Sequence, residues 1–230
     1  MQRAASVFTA LGALLIAPAG ASALSVTIDR PCYTNVPNRG SEPIVATITG
    51  GTAKAHFVLY VNAPGKHIGT SGSVTGAFDV AGNAVARLTD VFPPSGSVGP
   101  RRGERLVLSL ADYGTGSNPT PVVVARTLIT NLAISVVTKP ISPRAKRRIR
   151  VSGTPFAGKT LYGFITKPGS NHVLRRFRLG RGGVCGYASS RQVLAPPSYR
   201  MGGYRLYVNA GRSLRRRHAL VFPFRIFTHF

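Results

Sequence analysis

One stretch of the sequence matches a nucleotide-binding motif letter for letter: Gly153-x-x-x-x-Gly158-Lys159-Thr160. In a true phosphate loop the glycines let backbone amides surround phosphate oxygens, and the lysine and hydroxyl reach the phosphates and Mg²⁺ at the start of a helix. Here the following residues, LYGFITKPG, predict a strand and a turn, and no side-chain carboxylate that could hold magnesium comes later. We therefore interpret the motif as a turn between strands.

The two cysteines are the next residues that could carry chemistry. Cys185 as a nucleophile, with His172 or His218 as its base, would need an acid to orient the base, and Asp112 is the last acidic residue of the chain. The five histidines are scattered without the spacing of a metal site. The sequence therefore predicts a protein that is not an enzyme and that has no metal site and no cofactor.

Basic residues form the strongest chemical signal. From Asn131 to Phe230 there are 20 Lys and Arg and no acid, whereas Leu24–Thr130 has nine against six. A net charge of roughly 2–8 suffices to keep a small domain soluble. We therefore predict a polyanion-binding surface in the second half, at Arg144, Lys146, Arg147, Arg148, Arg150, Arg175, Arg176, Arg178, Arg181, Arg215, Arg216 and Arg217. The alternative is that these charges form a solvated face.

The elements that would position these residues are short strands. In the first half, alternation and β-forming residues predict strands at Leu24–Ile28, Val45–Thr49, His56–Asn62, Ala77–Val80, Ala84–Leu88, Arg105–Leu110 and Val122–Thr130, with a tight hairpin at Gly82-Asn83. In the second half they predict strands at Ala133–Val137, Ile149–Gly153, Leu161–Thr166, His172–Leu179, Val184–Ala188, Tyr204–Asn209 and Leu220–Thr228.

The two series of strands are diverged copies of one unit. Landmarks recur in the same order: Pro64-Gly65 matches Pro168-Gly169, Pro93-Pro94 matches Pro196-Pro197, and GERLVL from Gly103 matches GYRLYV from Gly203. The sequence thus predicts an all-β tandem of two β-sandwich domains, residues 24–130 and 131–230. Only Thr130-Asn131 interrupts the apolar run at the junction, so we expect a semi-rigid rod.

The first 23 residues have the features of a signal peptide. Arg3 precedes an apolar stretch from Ala4 to Ala17, and Ala21-Ser22-Ala23 is a cleavage site of the A-x-A type. The stretch is shorter than the ~20 residues that a transmembrane helix needs. We therefore expect a secreted protein without a transmembrane segment, either extracellular or associated with the cell wall.

With these features the chain resembles the bacterial immunoglobulin-like repeats of secreted and surface proteins, in particular two-domain secreted proteins with GxPFAGKTLYGF and GxYRLYVNAG runs. In this chain those runs begin at Gly153 and Gly202. The resemblance implies an immunoglobulin-like fold and an extracellular setting, and it implies no ligand. The chain has no Trp and no pair of cysteines within one copy, so it lacks the signature of true immunoglobulin domains.

The cysteines have a structural interpretation as well. Cys32 follows the first strand of copy one, which runs towards the junction, and Cys185 follows the turn Gly180–Gly183 of copy two, which faces copy one. In an oxidising compartment this arrangement predicts a Cys32–Cys185 disulfide that locks the domains together. Two buried free thiols, or a link between molecules, are the alternatives.

These observations predict a secreted binding module whose second domain attaches to an anionic polymer. The candidate ligands are a wall polymer, an acidic polysaccharide, anionic lipid headgroups or extracellular DNA, and such contacts would be sensitive to salt. Copy one would serve as a spacer or as a second recognition module. The alternative is a structural or accessory envelope protein whose basic face binds a protein partner.

Overall fold

Two β-sandwiches, each with its own hydrophobic core, make up the described part of the protein. The computed structural model describes residues 23–62, 72–89, 91, 98–114, 120–137, 145–196 and 198–227. Residues 1–22 of the predicted signal peptide lie outside this set. The first core is built from residues such as Leu59, Leu106 and Leu108, and the second from residues such as Val151, Leu206 and Val208. The predicted all-β tandem of sandwiches is confirmed.

The described residues of the first sandwich form nine strands. They are β1 (Ser25–Ile28), β2 (Cys32–Val36), β3 (Gly40–Ser41), β4 (Ile44–Thr49), β5 (His56–Asn62), β6 (Gly72–Ala77), β7 (Ala84–Leu88), β8 (Glu104–Asp112) and β9 (Thr120–Asn131). One sheet has the order β1-β4-β7 and the other has the order β3-β2-β9-β8-β5-β6. All described pairs are antiparallel except β2 and β9, which run parallel.

In the second sandwich, seven strands lie within the residues that the structure describes. They are β10 (Ala133–Val136), β11 (Arg147–Ser152), β12 (Thr160–Thr166), β13 (Arg175–Arg181), β14 (Ala188–Gln192), β15 (Gly202–Ala210) and β16 (Leu220–Ile226). A three-stranded sheet has the order β10-β11-β14, and a four-stranded sheet has the order β13-β12-β15-β16. Two 3₁₀ turns, at Thr154–Phe156 and Arg216–His218, lie before β12 and β16.

A tyrosine corner identifies the type of the second sandwich. The hydroxyl of Tyr204, near the start of β15, donates to the carbonyl of Arg200 at 2.7 Å. The buried Tyr204 ring stacks between Tyr199 and Phe224, with centroids 5.1 and 5.6 Å away. Such a corner, in seven antiparallel strands split between two sheets, is a mark of immunoglobulin-like sandwiches. The expected immunoglobulin-like fold is therefore confirmed.

Two predicted strands and one predicted hairpin were wrong. Strand β6 is Gly72–Ala77, so Ala77 is its last residue, and β14 is Ala188–Gln192, so most of the predicted strand Val184–Ala188 lies in a turn. Gly82-Asn83 does not close a hairpin, because β6 and β7 belong to different sheets. The Asp79 carboxylate accepts from the amides of Ala81 and Asn83, both at 2.8 Å, and so stabilises a turn that crosses between the sheets.

Candidate functional site: arginine-lined clefts of the second sandwich

The segment that matches the phosphate-loop motif lies in a turn. As the sequence predicts, a turn precedes a strand here: a 3₁₀ turn at Thr154–Phe156 and a bridge residue, Ala157, lead to β12, which begins at Thr160, one residue before the predicted start. Thr154 also contacts the first sandwich: its amide donates to Thr34 Oγ1 at 2.8 Å, and its hydroxyl donates to the Glu42 carboxylate at 3.2 Å. The start of this motif is therefore part of the junction between the sandwiches.

A disulfide joins the sandwiches at the same place. Cys32 and Cys185 are bonded across a sequence separation of 153 residues, with Cα atoms 5.5 Å apart, and both are buried. The predicted Cys32–Cys185 bridge is confirmed, and the described part of the chain has no free thiol. The bridge also removes Cys185 as a nucleophile, because a disulfide sulfur has no thiolate to offer.

Polar bonds support the bridge. The Ser152 hydroxyl donates to the carbonyl of Asn131 at 2.6 Å and accepts from the amide of Arg101 at 3.2 Å. Only Leu132 separates the end of β9 from the start of β10, so the chain passes between the sandwiches without a flexible linker. The short connection, the hydrogen bonds and the disulfide hold the junction in one geometry.

A cleft with a basic lining opens beside this junction. We call it the junction cleft; it has a volume of about 490 Å³ and is lined by Arg102, Arg148, Arg150, Tyr187, Ser189 and Arg191. Arg148 and Arg150 alternate in β11 with the buried Ile149 and Val151, so they lie on the outer face of the sheet. The volume falls within the range of roughly 300–1,000 Å³ typical of ligand sites.

A second basic cleft, the Lys159 cleft, lies at the motif. It is lined by Lys159, Thr160, Tyr162, Arg212, Ser213 and Arg215, with a volume of about 640 Å³. The buried side chain of Asn209 holds the loop above it: its amide donates to the carbonyl of Ser213 at 3.0 Å, and its oxygen accepts from the amide of Arg215 at 3.3 Å. The fold therefore places the motif lysine beside two arginines.

The other sequence-predicted residues are spread over the second sandwich. Arg176 and Arg178 are exposed on β13, in the four-stranded sheet, and Arg217 is exposed in the 3₁₀ turn. Lys146 is exposed just before β11, Arg147 is half-buried at its start, and Arg144 lies outside the described residues. The sequence prediction treated these basic residues as one surface. The structure distributes them over different faces of the second sandwich.

Several of the predicted arginines have partners within the fold, among them Arg176, which donates to the carbonyl of Arg212 at 3.3 Å. Arg175 donates to the carbonyl of Val193 at 2.5 Å, and Arg181 donates to the carbonyl of Gly158 at 2.8 Å. Arg216 donates to the carbonyl of Ser170, and its guanidinium lies 5.4 Å from the centroid of the Tyr207 ring. These contacts fix strand ends and loops, so part of the positive charge also has a structural role.

The site predicted from the sequence did not include Arg102, Arg191 and Tyr187 of the junction cleft or Lys159 of the Lys159 cleft, whereas Arg212 lies in a basic loop, 212–218, that the sequence did single out. The signal for Arg191 lay in the pairing of β11 with β14, which puts Arg148 directly opposite Arg191. No local pattern marks Arg102, because it precedes a strand of the first sandwich and meets Tyr187 only through the junction.

Carboxylates near the junction are already engaged. Glu104 pairs with Arg101, and Glu42 lies within 3.4 Å of Arg30. Asp29 accepts the hydroxyl of Tyr33. Burial favours the neutral form of Asp29, but its hydrogen bonds with Tyr33 and Arg30 outweigh burial and lower its pKa. None of these acids lines the junction cleft.

The described part of the chain contains no group of three or more His, Cys, Asp or Glu side chains that could hold a metal ion. None of its helices has the length and apolar character needed to cross a membrane.

Comparison with known proteins assigns the chain to no family. No protein-family profile and no curated protein matches it. A two-domain fibronectin type III segment from chicken tenascin matches at 8% identity with a TM-score of 0.30, covering 88% of this chain and 98% of that one. The E. coli chaperone DraB matches at 13% identity with a TM-score of 0.34, covering 80% and 90%.

A third match covers part of a longer protein. A tetra-tandem repeat from the extending region of a large adhesion protein is 16% identical with a TM-score of 0.29; the match covers 88% of this chain and 48% of that one. All three scores lie below 0.5. These similarities therefore carry no argument about a ligand.

Proposed function

We propose that this protein is a secreted, non-enzymatic binding module of the bacterial immunoglobulin-like type. In this proposal residues 24–130 and 131–230 are its domains, and the second domain attaches to an anionic polymer of the cell envelope or its surroundings. The observation that carries the proposal is the concentration of arginine and lysine around two clefts, whose basic residues all come, except Arg102, from a half of the chain that contains no Asp or Glu.

The chemistry of the clefts suits polyanions. Guanidinium groups bind phosphate and carboxylate oxygens through two parallel hydrogen bonds, and these charge-assisted bonds are stronger than neutral ones. Without acidic neighbours in the same half, the arginines produce a positive potential that attracts a polyanion from a distance. The disulfide supports an extracellular setting, because such bonds persist in oxidising compartments.

Salt dependence tests the proposal. We expect the purified protein to bind a DNA duplex, used here as a polyanion of known charge density, and to lose affinity by roughly 10³ between about 50 and 200 mM NaCl if six phosphates are contacted. Fluorescence anisotropy across a salt series measures this. Dextran, a neutral polymer, serves as the control and should not bind.

Absence of DNA binding at the lowest salt concentration would contradict the proposal. It would instead favour the alternative that the basic face binds a protein partner. Binding that does not change with salt would also contradict it, since counterion release is the expected source of the affinity.

A further inference from the structure

We propose that the junction cleft is a discrete binding site for the phosphodiester groups of an anionic polymer, formed by both sandwiches together. This inference rests on the proposed function and assigns it a ligand chemistry and a place. Arg102 comes from the segment before β8 of the first sandwich, whereas Arg148, Arg150 and Arg191 come from the three-stranded sheet of the second.

Like charges face each other inside this cleft. Arg148 and Arg191 are direct partners in the β11–β14 ladder, and Arg150 is paired with Ser189. Two like charges at directly opposite positions destabilise a sheet, because their side chains extend from the same face a few ångströms apart. No carboxylate lines the cleft. A bound anion between the two guanidinium groups would remove this repulsion.

The directions of the donors favour a tetrahedral oxyanion over a planar one. A carboxylate has two oxygens in one plane, and a single coplanar guanidinium satisfies both. Here four arginines approach one cleft from β11, from β14 and from the segment before β8, with the Ser189 hydroxyl beside them. A phosphodiester shares its charge between two non-bridging oxygens of a tetrahedral phosphorus, and these oxygens accept hydrogen bonds from directions that are not confined to one plane, so donors from different segments can engage it at once.

The spacing along β11 suits a chain of such groups. Arg148 and Arg150 are two residues apart on the same strand face, which corresponds to about 6.6 Å along the strand. The open cleft lets consecutive charged groups of a linear polymer lie against consecutive arginines. Tyr187 forms one wall of the cleft, and the guanidinium of Arg102 lies 5.6 Å from the centroid of its ring.

The disulfide holds the two halves of the site together. Cys185 lies two residues before Tyr187, and its sulfur packs so closely on Gly103 that a Cβ there would lie 2.7 Å from Sγ. Arg102 is the neighbour of Gly103. The bridge therefore fixes the position of Arg102 relative to Tyr187, and the complete cleft depends on the junction geometry.

The test uses the full protein and a glycerol phosphate hexamer as the probe, with binding measured by calorimetry at low salt. We expect the double variant Arg148→Gln/Arg191→Gln to bind the hexamer about tenfold or more weakly than the wild type. The single variant Arg102→Gln should also bind more weakly than the wild type. The matched control, Arg200→Gln/Arg205→Gln, removes the same charge from exposed positions of the second sandwich that line neither cleft, and it should lose less than about twofold.

A thermal unfolding scan gives an independent readout. Without the probe, Arg148→Gln/Arg191→Gln should unfold at the wild-type temperature or above it, because it removes a like-charge pair. With the probe, the melting temperature should rise in the wild type and in the control, and much less in the cleft variant. A cleft variant that is stabilised by the probe as strongly as the wild type would overturn the inference.

Other outcomes separate this inference from the proposed function. Equal losses in the cleft variant and the control would overturn the discrete site and leave a diffuse polyanion surface in place. Equal binding of a galacturonic acid hexamer, which carries carboxylates, would overturn the choice of phosphodiesters. If the wild type binds neither the hexamers nor DNA, the proposed function itself fails.

Discussion

Replacing Cys32 and Cys185 together by alanine is expected to lower the free energy of unfolding by on the order of 5 kcal/mol. The bridge closes a loop with a sequence separation of 153 residues. In the chain-entropy account, a disulfide stabilises a protein by restricting the unfolded chain, and the effect grows with the length of the loop. This bridge spans most of the described chain, so its expected effect is large.

The two cores are separate, which adds a second expected result. Because each sandwich has its own hydrophobic cluster, loss of the bridge should let one sandwich unfold before the other. Urea denaturation followed by circular dichroism measures both effects. Wild-type protein treated with a thiol reductant is the control and should behave like the double variant. An unchanged urea midpoint in the double variant would contradict the account.

The second large effect is expected at Gly186. Its φ is +68°, and a Cβ at this position would lie 1.9 Å from the carbonyl oxygen of Gly153. Backbone atoms cannot move away as a flexible side chain can, so the Gly186→Ala variant must shift the turn that follows Cys185. We expect a loss of about 3 kcal/mol or more in unfolding free energy, which combines the clash with the strain of a left-handed residue.

Gly158→Ala is the matched control for this prediction. Gly158 has nearly the same φ, +67°, but a Cβ there would meet nothing within 4 Å. Only the left-handed conformation is penalised, so we expect a loss of about 1–2 kcal/mol. The free energies of unfolding of both variants, from urea titrations, give the comparison. Equal losses would show that the contact with Gly153 has no energetic role.

These two glycines also show how a motif can mislead. Gly158 belongs to the phosphate-loop match, yet its surroundings are open, whereas Gly186 lies outside the match and packs against the backbone of Gly153. The sequence predicted the turn correctly because LYGFITKPG is typical of a strand and a turn rather than a helix, and because no acid follows. The sequence did not predict that Gly186 packs against Gly153, because the tertiary fold alone brings these two turns together.

Much of the fold was readable from local patterns. The strands His56–Asn62 and Ala84–Leu88 have the predicted limits, and their inward-facing residues Phe57, Leu59 and Leu88 lie in the first core. Strand β2 was missed because CYTNV is short and polar. It pairs in parallel with β9, which lies almost 100 residues further along the chain. A pairing between segments so far apart leaves no pattern in the local sequence.

The site was predicted only in part, for a similar reason. Charge counting found Arg148 and Arg150, because runs of cations are visible in any sequence. Arg102 and Arg191 complete the junction cleft through sheet pairing and through contact between the sandwiches. A count of charges contains no information about which strands are neighbours.

The central claim is that the positive charge of the second sandwich binds the polymer. Two matched variants test it most directly. One variant changes the exposed Arg178, Arg191, Arg215 and Arg217 of the second sandwich to Gln; the other changes the exposed Arg39, Arg87, Arg105 and Arg126 of the first sandwich to Gln. Both lose the same net charge. The measurement is the slope of log affinity for a DNA duplex against log salt.

We predict that the second-sandwich variant loses affinity, with a slope shallower by about one for each arginine that contacts a phosphate. The first-sandwich variant should keep the wild-type slope. Equal changes in the two variants, or a larger change in the first-sandwich variant, would contradict the claim that the second sandwich binds the polymer.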